Sequence, residues 1–412
     1  MAAHLSAAII TVGSELVEGL RVDTNTAEIA RDISRYGFRV GEATSVGDDE
    51  YLLAETIARL CAHNPLVVVT GGLGPTHDDV TREATGRALG LALVPDEGLL
   101  AFLEPFVRRH TDPASAEQVL TQALVLEGAL LLPPTNGTAA GQVVPTPTGH
   151  LILLPGPPHE MRPLLARAMA SHTPSRAAAR DLGVTGLAES DVQHATQRAL
   201  VAFEGVALTV LAKPGDVRVI LLDDGAGESG LDAAARAVAA ELGDACYSVA
   251  AETLAQTLVR AARERGVTLA TAESCTGGMV AAAITDVPGA SEVLLGSVVS
   301  YSNVAKVALL GVDESTLGAS GAVSEPVAAQ MAAGARTRFS ADVTVSVTGV
   351  AGPGGGSDDK PVGLVWFALE SSRAGAQAAR CSKMFAGGGR DAVRARATAF
   401  ALDLLRREVL RA

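Results

Sequence analysis

Residues 272–279 read AESCTGGM and follow the apolar stretch VTLAT. A strand that breaks into Ser, Cys, Thr and paired Gly ahead of a small-residue helix predicts a sharp strand–turn–helix corner. Such a corner lifts a side chain to the end of a sheet and aims backbone N–H groups there. Ser274 and Cys275 are candidate nucleophiles, and the amides of Thr276, Gly277 and Gly278 are candidate oxyanion donors. Composition constrains the base. All eight histidines lie at or before His194, which excludes a Ser-His-Asp or Cys-His arrangement confined to the last part of the chain. A lysine can serve if burial leaves its amine neutral. Only Lys306, Lys360 and Lys383 follow the corner. Lys360 sits in GGGSDDKP and Lys383 in CSKMF. Lys306, in SYSNVAK, lies just past an apolar stretch, with Tyr301, Ser302 and Asn303 around the same strand end, and is the preferred base. Ser274 is preferred over Cys275, which reads as a small inward hydrophobe.

A second glycine-rich loop, VTGVAGPGGGSDDKPVG, runs directly on from an apolar strand and is read as a phosphate-wrapping loop rather than a disordered connection. Three further loops in the first half also end strands: VGSELVEG, TGGLGPTHDDVT and PGPPHEM. Their glycines permit close backbone approach, and the helix opening near Thr81 offers free N–H groups to an anion. Glu15, Asp23, Asp78, Asp79 and Glu160 place carboxylates on the same rim, a pattern suited to a hard divalent cation bridging protein and phosphate. Plainer readings stand beside these. Asp79 could be only a helix N-cap, Glu15 a solvated turn residue, and His77 and His159 polar loop residues.

Stepping outward, strand and helix patterns alternate through both ends of the chain, which predicts mostly parallel sheets with helices on both faces. Ligands then bind where the loops gather, at the strand C-terminal ends. Between them, residues 180–247 read as a small α+β module, flanked by linkers at 172–180 and 247–251. The expected division is 1–171, 180–247 and 252–412. At 412 residues with 48% hydrophobic and 19% charged content the chain is globular. No apolar run reaches the roughly 18–20 residues of a membrane span, and the N-terminus lacks a signal peptide's basic head. Four scattered cysteines argue against a disulfide framework or zinc site and point to a reducing cytoplasm. A formal charge of −13 disfavours nucleic acid as a direct partner.

The set GSEL…G, RVDTNT, TGGLGPTHDDVT and LPGPPHEM, together with AESCTGG, YSNxxK and TGxAGPGGG, resembles the competence/damage-inducible CinA family over nearly the whole chain. The resemblance implies two three-layer α/β domains, one molybdopterin-binding-like and one an amidohydrolase, joined by a KH-like α+β module. It implies an N-terminal ADP-ribose pyrophosphatase that uses a divalent metal (Mg2+, Co2+ or Mn2+). Gly71, Gly72, Gly74 and Thr76 would form its phosphate loop and Asp78, Asp79 and Glu15 its metal or water-positioning groups. Asn25, His159 and Glu160 would complete the rim. It implies a metal-free C-terminal nicotinamide mononucleotide deamidase with Ser274 as nucleophile, Lys306 as base and Tyr301 hydrogen-bonded into the dyad. Glu273, Thr276, Gly277, Gly278, Asn303, Thr348, Gly349, Gly352, Gly354 and Gly355 would shape that pocket. A homodimer is implied as well. The module lacks a basic GxxG turn, its glycine-rich DDGAGESG being acidic, so it is read as structural or a lid. Lys213 in it either reaches the first domain's phosphate site or is a plain turn lysine. The rival reading is a competence or DNA-repair binding protein whose first domain only holds a pterin or nucleotide.

Overall fold

The structure is a computed structural model that describes residues 5–109, 112–172, 178–372 and 379–411. The chain divides into two compact units, Met1–Ala177 and Ala178–Ala412.

The first unit is built on a six-stranded sheet in the order Phe38–Val46, Leu5–Val12, Leu66–Thr70, Gly149–Leu154, Gly141–Thr146, Leu130–Leu132. The first four strands are parallel, Gly141–Thr146 runs against them, and Leu130–Leu132 pairs antiparallel with Gly141–Thr146. Successive residues of a strand face opposite sides, and here both sides are covered. Ala8, Ile10, Val67 and Val69 pack with the helix Glu50–Cys61. Ala7, Ile9, Leu66 and Val68 pack with the helices Asn25–Ser34 and Pro158–Ala168. The run LVVVT of the central strand is buried throughout, as a strand covered on both faces requires.

The second unit carries a five-stranded sheet in the order Leu294–Val299, Leu269–Glu273, Val343–Gly349, Leu364–Ser371, Ala379–Met384. The first three strands are parallel, which brings the ends of LATAE and LLGSVV side by side. The helices Leu254–Arg265 and Gly389–Leu410 cover one face and Glu325–Phe339 the other. Lys383 lies on the edge strand Ala379–Met384, with its ammonium over the Phe400 ring.

The α+β module is an antiparallel sheet, Val206–Lys213, Asp216–Asp223, Ala179–Val184, Cys246–Ser248, under the helices Glu189–Leu200 and Gly227–Leu242. It belongs to the second unit. Tyr247, assigned to a linker by sequence, is a buried strand residue of that unit's core. Its ring lies on Gly183, where a Cβ would come within 2.2 Å. Its hydroxyl donates to Asp216 at 2.6 Å and accepts from Arg218, which also donates to the Glu252 carbonyl at 2.7 Å. Arg406 of the last helix, paired with Asp403, donates to the Asp244 carbonyl at 2.8 Å. The expected linker at 172–180 falls largely outside the described residues. No described helix is long and apolar enough to cross a membrane.

Because Tyr247 joins the module to the last sheet, Tyr247→Ala should cost about 3–5 kcal/mol. Chemical denaturation should show the module and the last sheet unfolding in one shifted transition. A separate early transition of the module alone would contradict this packing.

Candidate active sites

In the second unit the strand Leu269–Glu273 ends directly at Ser274, whose amide donates to the Val347 carbonyl at 2.9 Å. The chain then turns through Gly277 (φ +62°) and Gly278 (φ +95°) into the helix Met279–Thr285. The neighbouring strand Leu294–Val299 ends at Ser300, and Ser302 caps the helix Asn303–Leu310 by accepting from the Ala305 amide. That helix carries Lys306 back over the corner. Lys306 Nζ lies 3.0 Å from Ser274 Oγ and donates to the Ser300 carbonyl at 2.7 Å. Lys306 is 1% exposed and Ser274 9%. Burial pushes the lysine pKa down, opposed only by the neighbouring Cys275 sulfur. The Cys275 thiol, facing the apolar core, is itself pushed up to about 11 by burial. The serine, not the cysteine, is therefore placed for activation by an amine.

Two features hold the corner. Glu273, fully buried, accepts the amides of Gly278 and Ala281 at 2.9 Å and of Val280 at 3.2 Å. Its carboxylate is thus a fastener of the turn, not the substrate contact expected of it. On the other side Arg394 donates to the carbonyls of Cys275 at 3.2 Å and Thr276 at 3.0 Å. The oxyanion expectation changes accordingly. The Gly277 amide closes the turn onto the Ser274 carbonyl and the Gly278 amide bonds Glu273. Among the described residues the Cys275 and Thr276 amides bond no oxygen; both lie against the Cys275 sulfur, and they are the two amides of the turn not committed to a carbonyl or carboxylate.

Tyr301 does not join the dyad. It is 63% exposed, and its hydroxyl accepts from Arg390 at 3.0 Å. Arg390 also donates to the Gly352 carbonyl at 2.8 Å, tying the glycine-rich loop to the start of the last helix. Gly354 and Gly355 of that loop face open space. Thr348 is buried and donates to the Ala322 carbonyl, and a Cβ on Gly349 would meet the Leu364 carbonyl at 2.7 Å, so both serve packing. Asn303 is exposed and lines a shallow cavity beside Val304 and Leu317. Lys360 donates to the Ser320 carbonyl. The sequence reading missed Arg390 and Arg394. Their spacing of four along GGGRDAVRAR places both on one helix face, a signal that was available.

In the first unit a cleft of about 390 Å³ at the strand ends is lined by Glu15, Asn25, Gly71, Gly72, Gly74, Asp78, Asp79 and Glu160 together. Asp23 and Asp48 line it as well. Asn25 holds the far rim by donating to the Gly156 carbonyl at 2.7 Å. Asp79 is no N-cap. It reaches back to accept the amides of Gly74 and Thr76, each at 2.8 Å, along with the Thr76 hydroxyl. Both its oxygens accept hydrogen bonds from the loop, so it shapes that loop. Asp78 is exposed, and hydrogen bonds from Thr76 and from its own amide hold its carboxyl below the ordinary range. Thr76 and His159 lie outside the cleft's lining. The His159 imidazole is largely exposed, 3.7 Å from Glu160, and its carbonyl accepts from Asn136. Among the described residues no three His, Cys, Asp or Glu side chains are gathered into a ready metal cage. Lys213 lies at the hairpin turn of the module, with its ammonium 3.4 Å from Asp216.

Two α/β units, one with a glycine-rich cleft and one with a serine–lysine pair, define the architecture. Residues 8–172 match the family model described as a probable molybdopterin binding domain, and residues 251–409 the CinA C-terminal domain. A CinA-like protein of Chlorobaculum tepidum is 39% identical over 386 residues, covering 89% of this chain and 90% of the relative. One from Akkermansia muciniphila is 40% identical over 368 residues, covering 87% of each. The crystal structure of the competence/damage inducible protein CihA from Agrobacterium tumefaciens is 41% identical. It covers 37% of this chain and 91% of that one, with a TM-score of 0.36. The chain belongs to the CinA family.

The buried lysine has a thermodynamic signature. The unfolded chain protonates it near the free value of about 10.4, whereas the folded chain holds its pKa lower. Between the depressed value and about 10.4 the unfolded state binds more protons, so stability rises with pH there. Taken as the difference between wild type and Lys306→Met, which removes this titration alone, stability should climb across that window. A pH-independent difference would refute a depressed lysine.

Proposed function

We propose that the second unit deamidates nicotinamide mononucleotide and the first hydrolyses ADP-ribose to AMP and ribose 5-phosphate. The observation that carries the first half of this reading is the 3.0 Å approach of a buried lysine amine to Ser274 Oγ. The substrate assignment rests on the CinA motifs, and a serine–lysine pair suits acyl transfer from an amide.

In the proposed reaction the neutral Lys306 amine accepts the Ser274 proton as Oγ attacks the carboxamide carbon. The tetrahedral oxyanion meets the Cys275 and Thr276 amides; Arg394, through the Cys275 carbonyl, maintains the orientation of the second. Lys306 returns the proton to the amide nitrogen, the C–N bond breaks and ammonia leaves an acyl-enzyme. Water then adds with Lys306 as base, and the ester bond breaks to free nicotinate mononucleotide and Ser274. Arg390 and the loop at Gly352 supply a cation and amides suited to the nucleotide phosphate.

For the first unit, Asp78 and Glu15 share the cleft with the Gly71–Gly74 loop. A hard divalent cation commonly takes one or two carboxylates and completes its shell with water and substrate oxygens. This donor set fits such a cation without a preformed cage. When bound, it would neutralise charge on the pyrophosphate oxygens. Asp78 and Glu15 would hold it, Asp79 shapes the loop, and the loop amides orient the substrate. Self-association through this unit is part of the reading, supported by the exposed Val17, Leu20 and Val22 beside the cleft.

The purified chain should release ammonia from nicotinamide mononucleotide in the presence of a chelator and form AMP from ADP-ribose only in its absence. Ser274→Ala should lower deamidation by at least about 10³-fold, and Cys275→Ala should retain most of it. The reverse result would assign the thiol as nucleophile. Activity should rise with pH to a plateau as Lys306 loses its proton, at a pH below the ordinary lysine range. A Tyr301→Phe variant should lose far less than Ser274→Ala, because its hydroxyl contacts Arg390 rather than the dyad.

A further inference from the structure

The helix Pro113–Thr121 of the first unit ends at Gln122, whose amide closes the last turn onto the Val119 carbonyl at 3.3 Å. Gln122 lines the cleft at the strand ends and is only 3% exposed. Among the described residues its carboxamide has no hydrogen-bond partner, and neither Oε1 nor Nε2 is sealed from the surface. A side chain that is otherwise enclosed thus opens its carboxamide to the cleft. Gln142, on the strand Gly141–Thr146, shows the contrast. It is 1% exposed, and its carboxamide accepts from the Leu126 amide at 2.8 Å and donates to the Leu124 carbonyl at 3.3 Å. Those two bonds also fix the strand Leu124–Leu126, which Gln122 closely precedes. Buried carboxamides are paired as a rule, and an unmet one forfeits the bonds it made to water in the unfolded chain.

The partner that would meet Gln122 follows from its chemistry. A carboxamide is uncharged and holds a donor beside an acceptor. A phosphoryl oxygen only accepts and a metal ion engages only the oxygen, so either leaves half of the group unmet. Two adjacent sugar hydroxyls, each able to donate and accept, meet both halves at once. An aminopurine edge has the same pattern, but among the described residues no Phe, Tyr, Trp or His lines this cleft to stack a base. The cleft's other carboxamide, on Asn25, is spent on the Thr70 hydroxyl and the Gly156 carbonyl. We infer that Gln122 is a specificity-determining residue of the first unit: its carboxamide receives the adjacent hydroxyls of a ribose that carries a phosphate. The phosphate-bearing sugar rests on the pyrophosphatase reading above, while the hydroxyl partner rests on the unpaired carboxamide. A deoxy analogue leaves Gln122 unmet again, which is how a buried polar group rejects a ligand lacking one hydroxyl.

The test uses the full chain and calorimetric affinities for ribose 5-phosphate, AMP and their 2-deoxy counterparts, with inosine monophosphate as the control for the base. Circular dichroism reports whether each variant is folded. Wild type should bind at least one ribose form about ten- to hundredfold more tightly than its deoxy form, as one or two hydrogen bonds provide. The pair that shows the preference tells which ribose of ADP-ribose Gln122 meets. Gln122→Met, close in size but without donor or acceptor, should erase that preference. Gln122→Glu, which keeps acceptors only, should keep part of it. A glutamine with a structural role alone would lower the melting temperature of the variants and leave the preference untouched. An undiminished preference in a folded Gln122→Met chain overturns the inference. If that variant does not fold, an undiminished preference in Gln122→Glu overturns it. Loss in Gln122→Met of discrimination between AMP and inosine monophosphate, with ribose preference intact, moves the contact to the base and overturns it too. Ribose preference without AMP formation from ADP-ribose leaves the role of Gln122 standing and removes the pyrophosphatase reading. AMP formation by a wild type that shows no ribose preference keeps that reading and removes the inference.

Discussion

A buried amine that, among the described residues, makes no ion pair with a carboxylate governs the second unit. An ion pair would keep Lys306 charged and useless as a base. Glu273, next to Ser274 in the chain, instead collects three amides with its carboxylate at the start of the following helix. The same contacts that form the corner therefore also leave the lysine without a counter-charge. The parallel pairing of Leu269–Glu273 with Leu294–Val299 does the rest, since it ends both strands at one level and sets the lysine helix over the serine.

Both units use one device to shape a loop. An arginine on a nearby helix gathers two successive carbonyls: Arg82 those of Leu73 and Gly74, Arg394 those of Cys275 and Thr276. Peptide planarity converts that grip on carbonyls into a direction for amides. A carboxylate complements it from the other side, Asp79 in the first unit and Glu273 in the second. Each loop is clamped through donors and acceptors at once. The shared device does not make the sites alike, because one lies in an open cleft and the other over a buried amine.

The strands, the corner at Ser274 and the choice of lysine were legible in the sequence for local reasons. Continuous apolar runs mark doubly covered strands, and the want of histidine after residue 194 eliminates the usual base. The convergence of three loops with Glu15, Asn25 and Glu160 was legible too, because parallel strands bring their C-terminal loops to one edge. What failed was the assignment of direction. Asp79, Glu273, Tyr301, Gly277 and Gly278 were placed correctly on their loops and given the wrong partners. A motif names a residue's neighbourhood but not where its polar atoms point. For Arg390 and Arg394 the sequence offers only a shared helix face; their partners, mostly backbone carbonyls, lie 38 to 119 positions away.

By itself, then, the sequence determined the element order, the two glycine-bearing loops at strand ends and the choice of Lys306 as the amine to look for at the corner. These follow from periodicity and from which residue types are present at all. Only the tertiary structure decided that Lys306 comes within 3.0 Å of Ser274, that Tyr301 turns to Arg390, and which amides stay free. Those outcomes depend on contacts between residues 32 to 119 positions apart, and such contacts form only when strand register and helix packing have brought the segments together.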